Sequence, residues 1–248
     1  MLSSDLRALS RPEMILFDYG DTLAREPAPD FLRGWRAVFQ YVEEDPDGAT
    51  PEQAHLLADS LWRRFSGSRN GGFEIHQWCL LRTVFDVLGL KSVLPLGEIE
   101  TILMDNACPV EPVPHTAALL AALDRLGIRT GVISNIGWSG QALAHRLTAL
   151  FPGHQFEFVL ASSEYGIRKP DPLLFQIALK KARLPAGKVW FCGDNLQADI
   201  AGAQGAGLFP LWLGGGETAG PDFPHLRAGD WREFLIALEA AFAEGMSW

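Results

Sequence analysis

A small set of residues in this chain combines reactive side chains with placement at the ends of apolar runs. Asp18 follows Met14-Ile15-Leu16-Phe17, and the chain turns at once through Gly20. Ser134 and Asn135 close the run Thr130-Gly131-Val132-Ile133, and Lys169 stands in a loop after Phe156 to Leu160. Asp194 follows Val189 to Gly193, with Asp199 five residues on. Carboxylates held together suit a hard divalent cation such as Mg2+, which takes oxygen ligands and keeps several waters. A lysine and a hydroxyl beside them suit a phosphoryl group: Lys169 supplies charge, while Ser134 and the backbone N–H of Asn135 supply donors. A carboxylate aimed at phosphorus can attack it and form an aspartyl-phosphate. Metal and lysine would then offset the repulsion between that carboxylate and an anionic substrate.

Each of these residues also has an ordinary structural use. Asp18 could cap a turn, Ser134 could satisfy a strand-end backbone group, and Lys169 could be a solvated loop charge. Asp194 could cap a helix, and Asp199 could be a first-turn carboxylate that favours the helix dipole. Their joint placement at successive strand ends favours chemistry. In a parallel sheet those ends share one edge, and open α/β sheets bind ligands there.

The elements that must create this edge follow from the apolar pattern. Strands are expected over 14–20, 130–135, 156–160, 189–192 and 208–213. Helices are expected over 116–126, closed by Gly127, over 138–150, and from Pro172 with Asp171 as its cap. Two more cover 198–206 and 230–242. Strands alternating with helices predict an α/β fold with a parallel sheet covered on both faces. From Pro27 to Pro109 the texture differs. Phe31, Trp35, Val38 and Phe39, then Ala54, Leu57, Leu61 and Phe65, recur at helical spacing, and no strand is expected there. Thr50 before Pro51 reads as a helix start. The segment Ser66 to Gly72 reads as a connector between two helical halves, and the aromatic residues of this region read as core. The division predicted is a helical unit at 26–108, inserted into an α/β core formed by 1–25 and 109–248.

The totals narrow the partners. The chain has 248 residues, 48% of them hydrophobic, enough to bury a full core. A net charge of −9 and a pI of about 5.1 argue against nucleic acid and anionic membranes as partners, though not against a small anionic substrate. Three cysteines without metal-knuckle spacing, no signal-peptide pattern and no apolar run approaching the roughly 18 residues of a membrane span predict a cytoplasmic protein.

Four motifs then carry a resemblance. FDYGDTL (17–23), VISN (132–135), GIRKPDPLLF (166–175) and WFCGDNLQADIAGAQGAG (190–207) resemble, in order and interval, the motifs of the haloacid dehalogenase (HAD) superfamily of hydrolases. The helical insert after the first strand resembles the branch with a C1-type helical cap. The resemblance implies a Rossmann-like core and phosphoryl transfer through Asp18. It also implies Mg2+ held by Asp18, the carbonyl of Gly20 and Asp194, with Asp199 as a further ligand or brace. Ser134, Asn135 and Lys169 would bind the phosphoryl group of a small phosphorylated metabolite, such as a sugar or acyl phosphate.

The chain departs from this pattern at one position. Family phosphatases carry a second aspartate two residues after the nucleophile, which protonates the leaving oxygen. Here that residue is Gly20, and an aspartate follows at Asp21. The departure leaves three readings open. The substrates have good leaving groups; or Asp21, His76 or His115 supplies the proton; or turnover has been largely lost, leaving a phosphate- or metal-binding protein. It also keeps open the metal-independent dehalogenase type, although that type tends to lose the acidic last motif, which is intact here. The only lysine of the insert, Lys91, does not suit a Schiff-base mechanism.

Overall fold

Apolar runs of strand length dominate the C-terminal half and the segment around residue 15, and in the computed structural model they form one sheet. Residue 6 and residues 9–214 and 220–243 are described. The sheet has six parallel strands, β1 (Met14–Phe17), β6 (Arg129–Ser134), β7 (Val159–Ala161), β8 (Val189–Gly193), β9 (Phe209–Leu213) and β10 (Leu226–Ala228). Their order across the sheet is β10-β9-β8-β1-β6-β7. β1 lies at the centre, with Phe17 in register with Val132 on one side and Cys192 on the other. The residues after each of these strands therefore emerge side by side.

All four residues of β1 and all five of β8 are buried, as expected of strands covered on both faces. Alternation assigns the faces. Ile15 and Phe17 join the cluster under α5 (Thr116–Leu126), α6 (Gly140–Leu150) and α9 (Trp231–Ala243). Met14 and Leu16 join the opposite cluster under α7 (Pro172–Ala182). The expected helix signals act as written: Gly127 ends α5 in the left-handed conformation, and Asp171 accepts from the N–H of Leu173 at 2.9 Å.

Between β2 (Ala24–Arg25) and β5 (Glu111–Pro112) the chain builds α1 (Phe31–Val38), α2 (Pro51–Asn70), α3 (Gln77–Val87) and α4 (Leu96–Ala107). Thr50 caps α2 through a reciprocal pair with Gln53. Gly34 lets α1 and α4 touch, since a Cβ there would lie 2.8 Å from Leu103 Cδ1 and 2.9 Å from Leu103 O. Two expectations are corrected. The segment 66–70 is the last turn and a half of α2 and not a connector, because Gly67 sits in a helix already propagated from a strong cap. The insert also contains strands: β3 (Val42–Glu44) pairs antiparallel with β4 (Lys91–Ser92), while β2 and β5 pair where the chain leaves and re-enters the sheet region. Smaller differences lie at β7, which starts at Val159, at the unforeseen β10, and at 196–201, which is a π-helical segment running into the short α8 (Gly202–Gly205).

Buried polar groups fasten the insert to the sheet's helices. Glu100 of α4 is fully buried and accepts from Ser139 N–H (2.9 Å), Ser139 Oγ (2.5 Å) and Trp78 Nε1 (2.8 Å). This carboxylate sits at the N-terminus of α6, where the helix dipole also favours it. Arg146 of α6 donates to Met104 O at 2.7 Å and pairs with Glu26 and Asp105, both at 3.2 Å. Removing the Glu100 acceptor strands the two buried donors of Ser139 and takes the partner from Trp78 Nε1, and a buried donor left unpaired costs about 1–3 kcal/mol. Glu100→Ala is therefore expected to destabilise the protein by about 3 kcal/mol, roughly 6–12 °C in Tm for a chain of this size. An unchanged thermal melt would show that the donors find other partners. Among the described residues, no helix is long and apolar enough to cross a membrane.

Candidate active site

The C-terminal ends of β1, β6 and β8, with the loop before α7, bring the sequence-predicted residues to one place. Asp18 begins where the β1 pairing ends, its N–H donating to Cys192 O of β8 at 2.8 Å. Lys169 is 3% exposed, so it is not a solvated loop charge. Its Nζ donates to Asp18 Oδ1 at 2.6 Å and to Ile133 O at 2.8 Å, lies 2.6 Å from Asp199 Oδ1, and rests 4.9 Å from the Phe191 ring centre. The lysine is thus held at a fixed point between two carboxylates.

Its loop is held as well. Asn135 accepts from Lys169 N–H at 2.7 Å and donates through Nδ2 to Lys169 O at 2.9 Å. Sequence reasoning assigned Asn135 a backbone donor, and its side-chain clamp on Lys169 had no signal in the sequence. The insert grips the same loop from the other side: Glu74 N–H donates to Gly166 O at 3.0 Å, and Arg168 N–H donates to Gly72 O at 3.0 Å. Behind these contacts the buried carboxylate of Glu74 accepts from Ser162 Oγ at 3.0 Å and pairs with Arg69 and Arg168.

Asp199 is 1% exposed and accepts from Asn195 N–H at 3.0 Å, bracing the turn that carries Asp194. Gly193 makes this possible, since a Cβ there would lie 2.5 Å from the Asp199 carboxylate carbon. Asp194 is half-buried, and Asn195 is the cap of the following segment. Ligand oxygens of Asp18, Asp194 and Asp199 all lie within 4.8 Å of one another. Ser134 ends β6, 3% exposed, beside them in register with Ala161.

The electrostatics follow from this crowding. Burial, with help from Asp199 and Asp194, pushes the Asp18 carboxyl up to about 7 against the opposing pull of Lys169. Asp194 is raised too, by burial and then by Asp199. Lys169 is held above its usual range because its two carboxylate neighbours outweigh the cost of burial. Three carboxylates share one ammonium, so the site carries surplus negative charge and an all-oxygen donor set. Those residues fit a hard divalent cation.

The remaining candidates are not members of the carboxylate–lysine cluster, although Asp21 stands near enough to help raise Asp194. Gly20 leaves open space where a side chain would be. Asp21 is exposed in the left-handed conformation, φ 52, within the turn closed by its N–H to Ala24 O at 2.8 Å. His76 caps α3, its Nδ1 accepting from Trp78 N–H at 3.1 Å. His115 is exposed, with φ 69, at the start of α5.

Beyond Asn135 a cavity of about 390 Å3 opens between α1–α3 of the insert and the loop 135–138. Its aromatic walls include Trp35, Trp62 and Trp138. Sequence reasoning took the tryptophans of the insert as core. Trp35 is buried as expected, but it and Trp62 also face this space.

Known proteins are similar to this chain in sequence and fold. A phosphoserine phosphatase of Thermus thermophilus is 35% identical over 126 residues, a match that spans half of each chain. The haloacid dehalogenase-like hydrolase domain-containing protein 3 of Mus musculus is 33% identical over 213 residues, 82% of each chain. Among solved structures, a 2-haloacid dehalogenase from Pseudomonas syringae pv. Tomato superposes with a TM-score of 0.58 at 23% identity, over 94% of this chain and 99% of that one, which reflects the shared fold. The haloacid dehalogenase-like hydrolase family model matches residues 12–207, the stretch that contains all four motifs and every residue of the carboxylate–lysine cluster, and the chain belongs to that family of hydrolases.

Proposed function

We propose that this hydrolase is a Mg2+-dependent phosphatase of small phosphorylated metabolites that works through an aspartyl-phosphate on Asp18. One observation carries the reading: Asp18 and Lys169 are joined at 2.6 Å inside a three-carboxylate cluster at the end of the central strand. A metal-independent attack on carbon would have no evident use for Asp194, whose repulsion with Asp199 a cation would relieve. The phosphatase named among the relatives supports the same reading.

In this mechanism Asp18 attacks phosphorus, and the bond to the leaving oxygen breaks. Lys169, fixed by Ile133 O and the Asn135 clamp, holds the nucleophile in aim and neutralises charge on the phosphoryl oxygens. Ser134 and the N–H of Asn135 offer donors to the same oxygens. Asp18, the Gly20 carbonyl and Asp194 would hold Mg2+, with Asp199 bracing Asp194 through the Asn195 turn. When bound, the ion supplies Lewis-acid stabilisation of charge on the transferring group. Residues 26–108 act as the cap, and 1–25 with 109–248 form the catalytic core. Closure of the cap excludes water.

The test is phosphate release from a panel of esters, with and without Mg2+, spanning acyl and aryl phosphates to sugar phosphates. Mg2+-dependent release is expected, strongest for good leaving groups because Gly20 offers no acid. Release unaffected by removal of all divalent cations, or release of halide from 2-haloacids with no phosphate release, would overturn the reading. Asp194→Asn is expected to raise the Mg2+ concentration for half-maximal rate at least roughly tenfold, the smaller end of what even outer-shell substitutions cost. An unchanged Mg2+ dependence would remove Asp194 from the metal site.

A further inference from the structure

We infer that the cavity between α1–α3 and the loop 135–138 binds the leaving group of the substrate, and that this group is an aromatic moiety. The assignment of the phosphoryl end to the Asp18–Lys169 cluster rests on the function proposed above.

The volume, about 390 Å3, is that of a small-molecule site. Asn135 joins the two ends: it lines the cavity, and its side chain holds the backbone of Lys169. A substrate whose phosphoryl group lies between Ser134 and Lys169 would thus direct its other end into this space. The walls are flat. Phe31 and Trp138 face one another with ring centres 6.4 Å apart and planes within 30°, and Trp62, Trp35 and Leu80 close the sides. Such surfaces favour stacking of another ring.

The charged groups around the cavity already have partners of opposite sign. Arg69 pairs with Glu74 at 2.8 Å and stacks 4.7 Å from the Trp62 ring centre. Glu26 pairs with Arg146 at 3.2 Å, and Asp59 pairs with Arg63. Stacking of a ring on these walls leaves the pairs in place.

The test uses two substrates with good leaving groups, so that the missing acid affects both alike: 2-naphthyl phosphate, which fills the cavity, and acetyl phosphate, which does not. Ala58→Phe, which places a ring in the cavity, is expected to lower kcat/KM for 2-naphthyl phosphate at least tenfold relative to acetyl phosphate. Independently of turnover, 2-naphthol should quench tryptophan fluorescence saturably in the wild type. Its affinity should fall at least tenfold in both Ala58→Phe and Trp62→Ala. Naphthol binding with these variant effects but no phosphate release would sustain the cavity and sink the phosphatase reading. An unaltered substrate ratio in Ala58→Phe, or naphthol affinity insensitive to Ala58→Phe and Trp62→Ala, would overturn the cavity assignment while leaving the phosphatase reading in place.

Discussion

Asp18→Asn is expected to lower kcat on every phosphate ester by about four to six orders of magnitude, the scale on which loss of a nucleophile acts. The substitution is nearly isosteric, so the fold should persist. An amide oxygen can still accept from Lys169 Nζ, which now donates at 2.6 Å, and the backbone bond to Cys192 O is untouched. An amide cannot form the acyl-phosphate, and it weakens the cation site by one charge. The pairing of a collapsed kcat with a cooperative melt near that of the wild type separates a lost nucleophile from a lost fold. Activity within tenfold of the wild type would place the nucleophile elsewhere.

Gly20→Asp should act in the opposite direction. A Cβ at Gly20 meets nothing within 4 Å, and Gly20 is not among the residues with positive φ, so an aspartate fits without strain. If the phosphatase reading is right, its carboxyl stands on the turn beside the nucleophile and can protonate a departing alkoxide. General-acid help of this kind is worth about 10² to 10⁴ in rate. The gain should appear on sugar phosphates, whose leaving groups need the proton, and be small on aryl and acyl phosphates, whose leaving groups do not. Comparing the two classes in the wild type and Gly20→Asp measures this directly. No gain on sugar phosphates would mean that a substitute acid already serves the site. Asp21 and His115 are exposed at positive φ, and His76 already spends Nδ1 as a helix cap.

The parts of this protein legible in its sequence are those with a strong local cause. Five of the sheet's six strands were readable because burial on both faces makes them largely apolar runs, although β7 starts later than its run suggests. The ends of α2, α5 and α7 were readable from Thr50, Gly127 and Asp171, since capping is a property of a few adjacent residues. Strands of two or three residues, such as β2 to β5 and β10, leave no periodicity to read; they exist because distant segments meet. The last turns of α2 were hidden because Gly67, Asn70 and the serines resemble a breaker, while the preceding helix supplies the cooperativity to carry them.

For the site the same rule holds. Asp18, Ser134, Lys169, Asp194 and Asp199 could be read from their positions at strand ends, because the parallel topology brings those ends together. The Asn135 clamp, the Glu74 and Glu100 networks and the aromatic wall of the cavity depend on how the insert packs against the sheet, which no spacing along the chain encodes.

The central claim is a phosphoryl group carried by Asp18. The most direct measurement is acid quenching of the enzyme during turnover of acetyl phosphate with Mg2+, followed by mass analysis of the peptide that contains Asp18. The account predicts the added mass of one phosphoryl group on that peptide, absent without Mg2+ and absent in Asp18→Asn. Sustained turnover with the label on another peptide, or an Asp18→Asn protein that still turns over, would contradict it.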